Sequence, residues 1–366
     1  MIKMVDKKKL KVLLTASSGP GAVGIIHALR NHPNKHIFIV TGSVEDYEDV
    51  SLKIADKYVK IPFSSDEDFV SKMIRICKEN NIDLIVPAYS QEILELAKNE
   101  EVFLREGIHI LCPSFENIFT AHNKDIMYEQ LQRLNCNCYP NFKFVNSVDE
   151  LKSVCLSMGY PQKKLCVKPA VCNGGSRGFF VLDENYDRFK NYFLEKEQPI
   201  CSLDELLLKL KGLKRIPRII VMDYLSGPEY GIDVVAKEGE VISYVVRKRL
   251  HPQVAGIDMR VKIENREDLS DFTKKIVKNL KLNSIVNIDI RYDEEMNKPY
   301  ILEINPRQSA YIGTSAQKIN LLSMAIDLKL GEKINVDNYK KNYENIVGVR
   351  YFGEFNICDN ELVFFD

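Results

Sequence analysis

The sequence predicts an α/β domain with a parallel sheet, followed by an α+β region richer in strands. Three observations predict this. Strand and helix signals alternate through the first 120 or so residues. That alternation implies a parallel sheet with crossover helices. From Ile219 onward strand signals dominate. Two late segments, Ile285 to Tyr292 and Pro299 to Ser309, alternate apolar and polar residues as half-buried strands do.

Lys11 to Ala16 reads as an apolar strand, and the small-residue turn Ser17 to Gly24 leads into a helix ending near Arg30. His36 to Val40 is a second strand. Phe69 to Asn80 is a helix with Met73, Ile74, Ile76 and Cys77 on one side. Asp83 to Pro87 and Ile108 to Cys112 are further strands. A connecting helix is expected over Asn123 to Leu134, then a helix near Val148 to Met158. Strands follow at Leu165 to Lys168 and Gly178 to Leu182, joined by a glycine-rich loop. Asp183 to Lys214 is polar and helix-like. The later strands are Ile219 to Leu225, Tyr230 to Ala236, Val241 to Arg247, Ile285 to Tyr292 and Tyr300 to Asn305. Helices at Leu269 to Leu280 and Leu321 to Leu330 complete the pattern, with edge strands expected in Val347 to Asp366.

The chain has 366 residues and an apolar fraction of 45%, enough for a large core and two or three domains. Lys+Arg and Asp+Glu both number 51. This balance argues against a general nucleic-acid or anionic-membrane binder, since both need a basic surface. No apolar run reaches the length of a membrane span. The basic N-terminus precedes a strand too short for a signal-peptide core. The nine cysteines show no CxxC spacing, which supports neither a zinc site nor a thioredoxin-like motif. Reduced thiols in the cytoplasm are therefore expected. The close pair Cys136 and Cys138 reads as ordinary packing.

In the last hairpin, residues two apart share a face. Asn287, Asp289 and Arg291 lie on one face of the first strand, and Glu303 and Asn305 on one face of the second. With those faces together, Asp289, Glu303 and Asn305 offer hard oxygen ligands suited to Mg²⁺. Arg307 could then hold a phosphate or a developing oxyanion. A charged, solvent-facing hairpin is the competing reading.

Four other motifs carry chemistry. Gly19-Pro-Gly-Ala-Val-Gly24 matches GxGxxG between a strand and a helix, as in dinucleotide sites. However, the second strand lacks the acid that would hold the ribose, so the glycines could equally serve a tight turn. Lys168-Pro-Ala-Val-Cys-Asn-Gly-Gly-Ser-Arg-Gly178 suits phosphate binding through Gly174, Gly175, Ser176 and the lysine charge. A plain hairpin turn competes with that reading. Val221 to Asp233 is a strand-turn-strand unit whose backbone could face an adenine edge, with Glu229 accepting ribose hydroxyls. Val246 to His251 is a basic cluster, either an anion site or a solvated edge strand protected by charge.

In this order the motifs resemble the ATP-grasp superfamily, and most nearly one synthetase unit of the carbamoyl-phosphate synthase large chain. The resemblance runs from Lys11 to about Leu330. It implies a Rossmann-like pre-ATP-grasp domain over 1–120, a lid subdomain over 121–218 and a C-terminal subdomain with the metal site over 219–366. It makes Gly19 to Gly24 a structural turn. It implies that Lys124 and Lys168 contact nucleotide phosphates, that Asn173 to Gly178 closes over them, that Asp223, Tyr224 and Leu225 form the adenine hinge, and that Glu229 holds the ribose. Asp289, Glu303 and Asn305 become the metal ligands, binding one or two Mg²⁺ ions with Mn²⁺ able to substitute. Arg307 stands near the transferred phosphoryl group, while Arg247, Arg249 and Arg291 are candidates for orienting a carboxylate substrate. Asp289 stands where the carbamoyl-phosphate enzyme has glutamine, and Asp223 where it often has glutamate.

The implied activity is ATP-dependent ligation of a carboxylate, through an acyl phosphate, to an amine or amino acid. The implied partners are small-molecule carboxylates and amines, with no nucleic acid or membrane and with a homodimer allowed. Carbamoyl-phosphate-synthase-like or kinase-like phosphorylation of a carboxylate or carbamate is the alternative. A dinucleotide-dependent oxidoreductase is the second alternative.

Overall fold

The computed structural model describes residues 8–45, 51–170, 178–194, 199–213, 215–254, 257–351, 355–358 and 361–364. They group into two compact units. The first comprises Met1–Phe119, Tyr230–Asp289 and Ile304–Asp366; the second comprises Thr120–Glu229 and Ile290–Glu303.

The first unit opens with a parallel five-stranded sheet. Its strands are β1 (Lys8–Leu14), β2 (Lys35–Ser43), β3 (Lys57–Lys60), β4 (Leu84–Val86) and β5 (His109–Ile110), in the order β3-β2-β1-β4-β5. The change of direction at β1 is the doubly wound pattern that alternating strands and helices predict. Helix Ala22–Arg30 buries Ile25, Ile26 and Leu29, while helix Phe69–Asn80 buries Phe69, Met73 and Cys77. The latter stops at Asn81, whose left-handed φ of 52° ends the hydrogen-bond ladder.

The second unit holds a five-stranded sheet of β6 (Phe142–Val145), β7 (Leu165–Pro169), β8 (Phe180–Leu182), β9 (Ile200–Cys201) and β10 (Ile219–Asp223), in the order β6-β10-β7-β8-β9. Helices Val148–Ser157 and Leu203–Leu210 start at Ser147 and Ser202, whose side chains accept from Glu150 N and Glu205 N. The capping box at Ser202 and Glu205 satisfies two amides that would otherwise lack partners. Leu151, Cys155, Leu165, Leu206 and Val221 are fully or almost fully buried in this unit's core.

A third sheet has six strands: β11 (Glu229–Lys237), β12 (Glu240–Val254), β13 (Ile257–Ile263), β14 (Ser284–Asp293), β15 (Lys298–Asn305) and β16 (Val347–Val349), in the order β15-β14-β11-β12-β13-β16. The strands Phe355–Cys358 and Glu361–Phe364 pair separately. The basic cluster from Val246 to His251 was expected at a strand end, with a solvated edge as one reading. Instead, β12 continues to Val254 and lies between β11 and β13, and Arg247 is buried. A buried interior arginine needs a partner inside the fold.

The first unit's core joins distant parts of the chain. Leu14, Ile26, Leu29 and Ile39 cluster with Val235, Ile285, Ile312, Leu322 and Ile326. Gly21 and Gly313 permit part of this contact. A Cβ on Gly21 would fall 2.9 Å from Ala310 Cα, and one on Gly313 would fall 2.7 Å from Gly24 Cα. Gly21 of the GxGxxG turn is thus explained by close backbone approach within the fold.

Candidate active site

In the second unit, Lys124 opens helix Lys124–Arg133 and Lys168 lies on β7. Lys124 Nζ lies 3.1 Å from Glu303 Oε2, and Lys168 Nζ donates to the Leu302 carbonyl at 3.4 Å. Tyr128, one turn along from Lys124, donates to the Ile301 carbonyl at 2.8 Å. The two lysines and the Glu303 segment are therefore held together. Burial, reinforced by the Lys124 charge, lowers the Lys168 pKa; Glu303 and Glu229 oppose the shift. Among the described residues, no carboxylate lies within ion-pair distance of Lys168 Nζ. An under-compensated lysine beside a second lysine is suited to an anion.

The expected hinge is also in this unit. Asp223 ends β10 and its amide donates to Asn141 O at 3.0 Å. Burial raises the Asp223 pKa. Tyr224 lies beneath the Arg291 guanidinium, 5.5 Å from ring centre to carbon, and Leu225 is buried. Arg291 Nε donates to Gly227 O at 3.0 Å, which ties this arginine to the hinge. Gly227 itself approaches Tyr292 so closely that a Cβ would fall 2.7 Å from the Tyr292 carbonyl oxygen. Gly174, Gly175 and Ser176, with Asn173, lie outside the described residues.

In the first unit, a polar network surrounds Asp289. Arg249 Nη2 lies 2.9 Å from Asp289 Oδ1, and Arg249 Nε lies 3.2 Å from Asp258 Oδ2. Asn305 donates to Asp289 Oδ2 at 3.2 Å, so the expected convergence of these two ligands is present. Asn287, with its amide oriented to satisfy both neighbours, donates to Asp289 at 3.1 Å and accepts from Arg247 at 3.1 Å. Arg247 Nε and Nη2 donate to the two oxygens of fully buried Asp233 at 3.0 and 3.2 Å. Ser309 and Ser315 also donate to Asp233, at 3.1 and 2.6 Å. Such a bidentate pair fixes the guanidinium plane. Arg247 is thus committed to the scaffold, while Arg249 contacts the acid.

Arg307 Nη1 donates to Gln308 O at 3.0 Å. Its charge also acts on Glu92, a buried carboxyl that accepts from Thr15 and from the Ala88 and Tyr89 amides. Burial pushes the Glu92 pKa up to about 7, against these donors and Arg307. Sequence reasoning missed Asp233, Asp258, Tyr311 and Arg350. Arg350 stacks 3.9 Å over the Tyr311 ring and donates to Ala310 O at 2.7 Å; Tyr311 donates to Asp258 O at 2.6 Å. Asp233 closed the quoted hinge tract, but its buried role depends on a register no local pattern reveals.

Among the described residues, no group of three or more His, Cys, Asp and Glu side chains is arranged for a metal. The expected set instead combines carboxylates with a carboxamide. That combination fits Mg²⁺, which takes few protein ligands and completes its shell with water and phosphate oxygens. Also among the described residues, no helix is long and apolar enough to cross a membrane.

Residues 215–353 match the family described as ATP-grasp in the biosynthetic pathway with Ter operon, and residues 23–111 match the PylC-like N-terminal domain. The chain carries an ATP-grasp domain behind a PylC-like N-terminal domain. It is 24% identical over 277 residues to the carbamoyl phosphate synthase large chain of Thermoanaerobacter sp. (strain X514), covering 72% of this chain and 23% of that one. It therefore spans about a quarter of that relative's length. The fold resembles an ADP complex of N5-carboxyaminoimidazole ribonucleotide synthetase, with a TM-score of 0.66 and 14% identity over 95% of this chain and 82% of that one. It also resembles the L-amino acid ligase of Bacillus licheniformis, with a TM-score of 0.62 and 16% identity over 96% and 82%.

Proposed function

We propose that this protein is an ATP-dependent ligase that activates a carboxylate as an acyl phosphate and couples it to an amine or amino acid, releasing ADP and phosphate. The observation that carries the reading is Lys168, whose pKa is lowered by burial and by neighbouring Lys124, with no carboxylate at ion-pair distance among the described residues. A nucleotide phosphate supplies the missing negative charge.

In this reading, Lys168 and Lys124 hold the phosphates, assisted by Gly174, Gly175 and Ser176. Asp223, Tyr224 and Leu225 receive the adenine, and Glu229 the ribose. Asp289, Glu303 and Asn305 would hold the metal, and Arg249 and Lys124 pair with the two carboxylates. One or two Mg²⁺ ions held there, with Mn²⁺ as substitute, would supply positive charge to the phosphate oxygens. Arg307 stabilises the oxyanion that develops as the acyl phosphate forms and as the amine attacks it. Arg249 and Arg291 orient the carboxylate. Segments 1–120, 121–218 and 219–366 serve as pre-ATP-grasp, lid and metal-bearing parts. A cytoplasmic setting and small-molecule carboxylate and amine partners, with no nucleic acid or membrane and a homodimer allowed, complete the reading.

The matched relative's name supports phosphorylation of a carboxylate or carbamate as a second reading. One experiment separates the two: release of ADP and phosphate against a panel of carboxylates crossed with amines and amino acids, with product masses. A mass equal to carboxylate plus amine minus water supports ligation. A phosphorylated product without amine supports the second reading. Failure of every pair to stimulate ADP release counts against both.

A further inference from the structure

Cys136 and Cys138 lie outside the proposed chemistry, yet their geometry is unlike that of the chain's other described cysteines. Cys136 sits between Asn135 and Asn137, which have left-handed φ angles of 49° and 46°. Non-glycine residues rarely adopt this conformation, and asparagine tolerates it best. The two reversals turn both cysteine side chains to the same side. Cys138 Sγ donates to Cys136 Sγ at 2.7 Å, and both residues are buried, at 0% and 2% exposure. A disulfide needs a sulfur separation of about 2.05 Å, so little movement joins them.

The turn is anchored at both ends. The Cys136 amide donates to Leu131 O at 3.0 Å, on the helix that begins at Lys124. The Cys138 carbonyl accepts from Ile301 N at 2.8 Å, on β15 two residues before Glu303. The same helix and strand carry the Lys124–Glu303 pair. A change in the turn therefore reaches both members of that pair.

We propose that Cys136 and Cys138 form a reversible dithiol–disulfide redox site that regulates Mg·ATP binding. This regulatory role rests on the nucleotide reading above. The oxidant class is a small peroxide, which suits a buried pair. One thiolate attacks the peroxide, breaking its O–O bond and giving a sulfenic acid and water. The second thiol attacks the sulfenic sulfur, forming the S–S bond and expelling the oxygen as a second water. Two electrons pass from the sulfurs to the peroxide, and the two thiol protons leave in the waters. Cys77, Cys112 and Cys155 are buried as well, and Cys136 and Cys138 differ from them in each lying beside a second sulfur.

The test uses the full chain, reduced and then treated with hydrogen peroxide. Intact mass and peptide mapping should show loss of two hydrogens and a Cys136–Cys138 linkage, reversed by dithiothreitol. Calorimetry should show Mg·ATP affinity changed by about five-fold or more on oxidation. C138S should bind Mg·ATP with an affinity that peroxide does not change. A pair that stays reduced while the chain is folded overturns the proposal. So does a mapped disulfide with unchanged affinity. If the reduced chain fails to bind Mg·ATP, the proposed function falls instead, and the mapping alone decides the redox site.

Discussion

Arg249 holds Asp289 through a 2.9 Å ion pair from Nη2 and reaches Asp258 from Nε at 3.2 Å. A guanidinium bridging two acids is aligned before any ligand arrives. Asp289 also accepts from Asn305, so the proposed metal carboxylate is set from two directions. The arginine thus supplies a positive charge beside this buried acid.

Asp289→Ala and Glu303→Ala should each abolish Mg²⁺-dependent ATP turnover while leaving the fold intact. A coupled assay of ADP release across Mg²⁺ concentrations, with circular dichroism as the folding control, checks this. Wild-type-like turnover in either variant would remove the metal assignment.

Lys168→Ala should mainly weaken nucleotide binding. A charge-assisted contact in a buried place contributes about 1.5–3 kcal/mol, so the Mg·ATP dissociation constant should rise by roughly 10- to 150-fold. Calorimetric titration measures it, and unchanged affinity would count against the phosphate role.

Asp233→Ala should destabilise the first unit strongly. It leaves Arg247 buried without its bidentate acceptor and removes the partner of Ser309 and Ser315. Breaking a buried pair from one side costs about 3–5 kcal/mol. Denaturant unfolding should show a loss in that range, and a loss below about 1 kcal/mol would contradict the network.

Asp327 supplies a pH signature. It accepts from Lys35, from Tyr339 at 2.6 Å and lies 3.3 Å from His32 Nε2. Burial acts to raise its pKa, but these partners outweigh burial and bring it down from 3.8 to about 2. A carboxyl whose folded pKa is depressed contributes stability above its unfolded pKa and loses it as pH falls through the folded one. The contribution, about 2 kcal/mol, is present above roughly pH 4 and fades toward pH 2. The stability gap between wild type and Asp327→Asn, measured by denaturant unfolding, should be full near neutral pH and narrow below pH 4. A gap that does not change with pH would refute it.

The legible parts of the fold were those with local causes. Alternation at Ile285 to Tyr292 and at Tyr300 to Asn305 marked β14 and β15, and the approach of Asn305 to Asp289 followed from side-chain period once the polar faces of the two strands were taken to pair. Strand-helix alternation marked the first sheet. Less legible were strands whose identity depends on pairing. Ile257–Ile263 is stabilised as the neighbour of β12, and Lys57–Lys60 as the neighbour of β2. The Val246 to His251 cluster was misleading because charged residues resemble an exposed edge, and only sheet order shows Arg247 paired with Asp233 inside. Arg350 and Tyr311 form their stack across 39 residues of sequence, a pairing no local motif announces.

The close approach of Gly21 and Gly24 to Ala310 and Gly313 also governs how the chain is made. On the ribosome, the N-terminal helix emerges with its packing partners nearly 300 residues away. At 5–20 residues per second, translation of the interval takes roughly 15–60 seconds. Throughout that time, the face of helix Ala22–Arg30 that will meet helix Ile312–Ser315 is uncovered. Nascent chains stalled before residue 310 should therefore be the ones that chaperones hold.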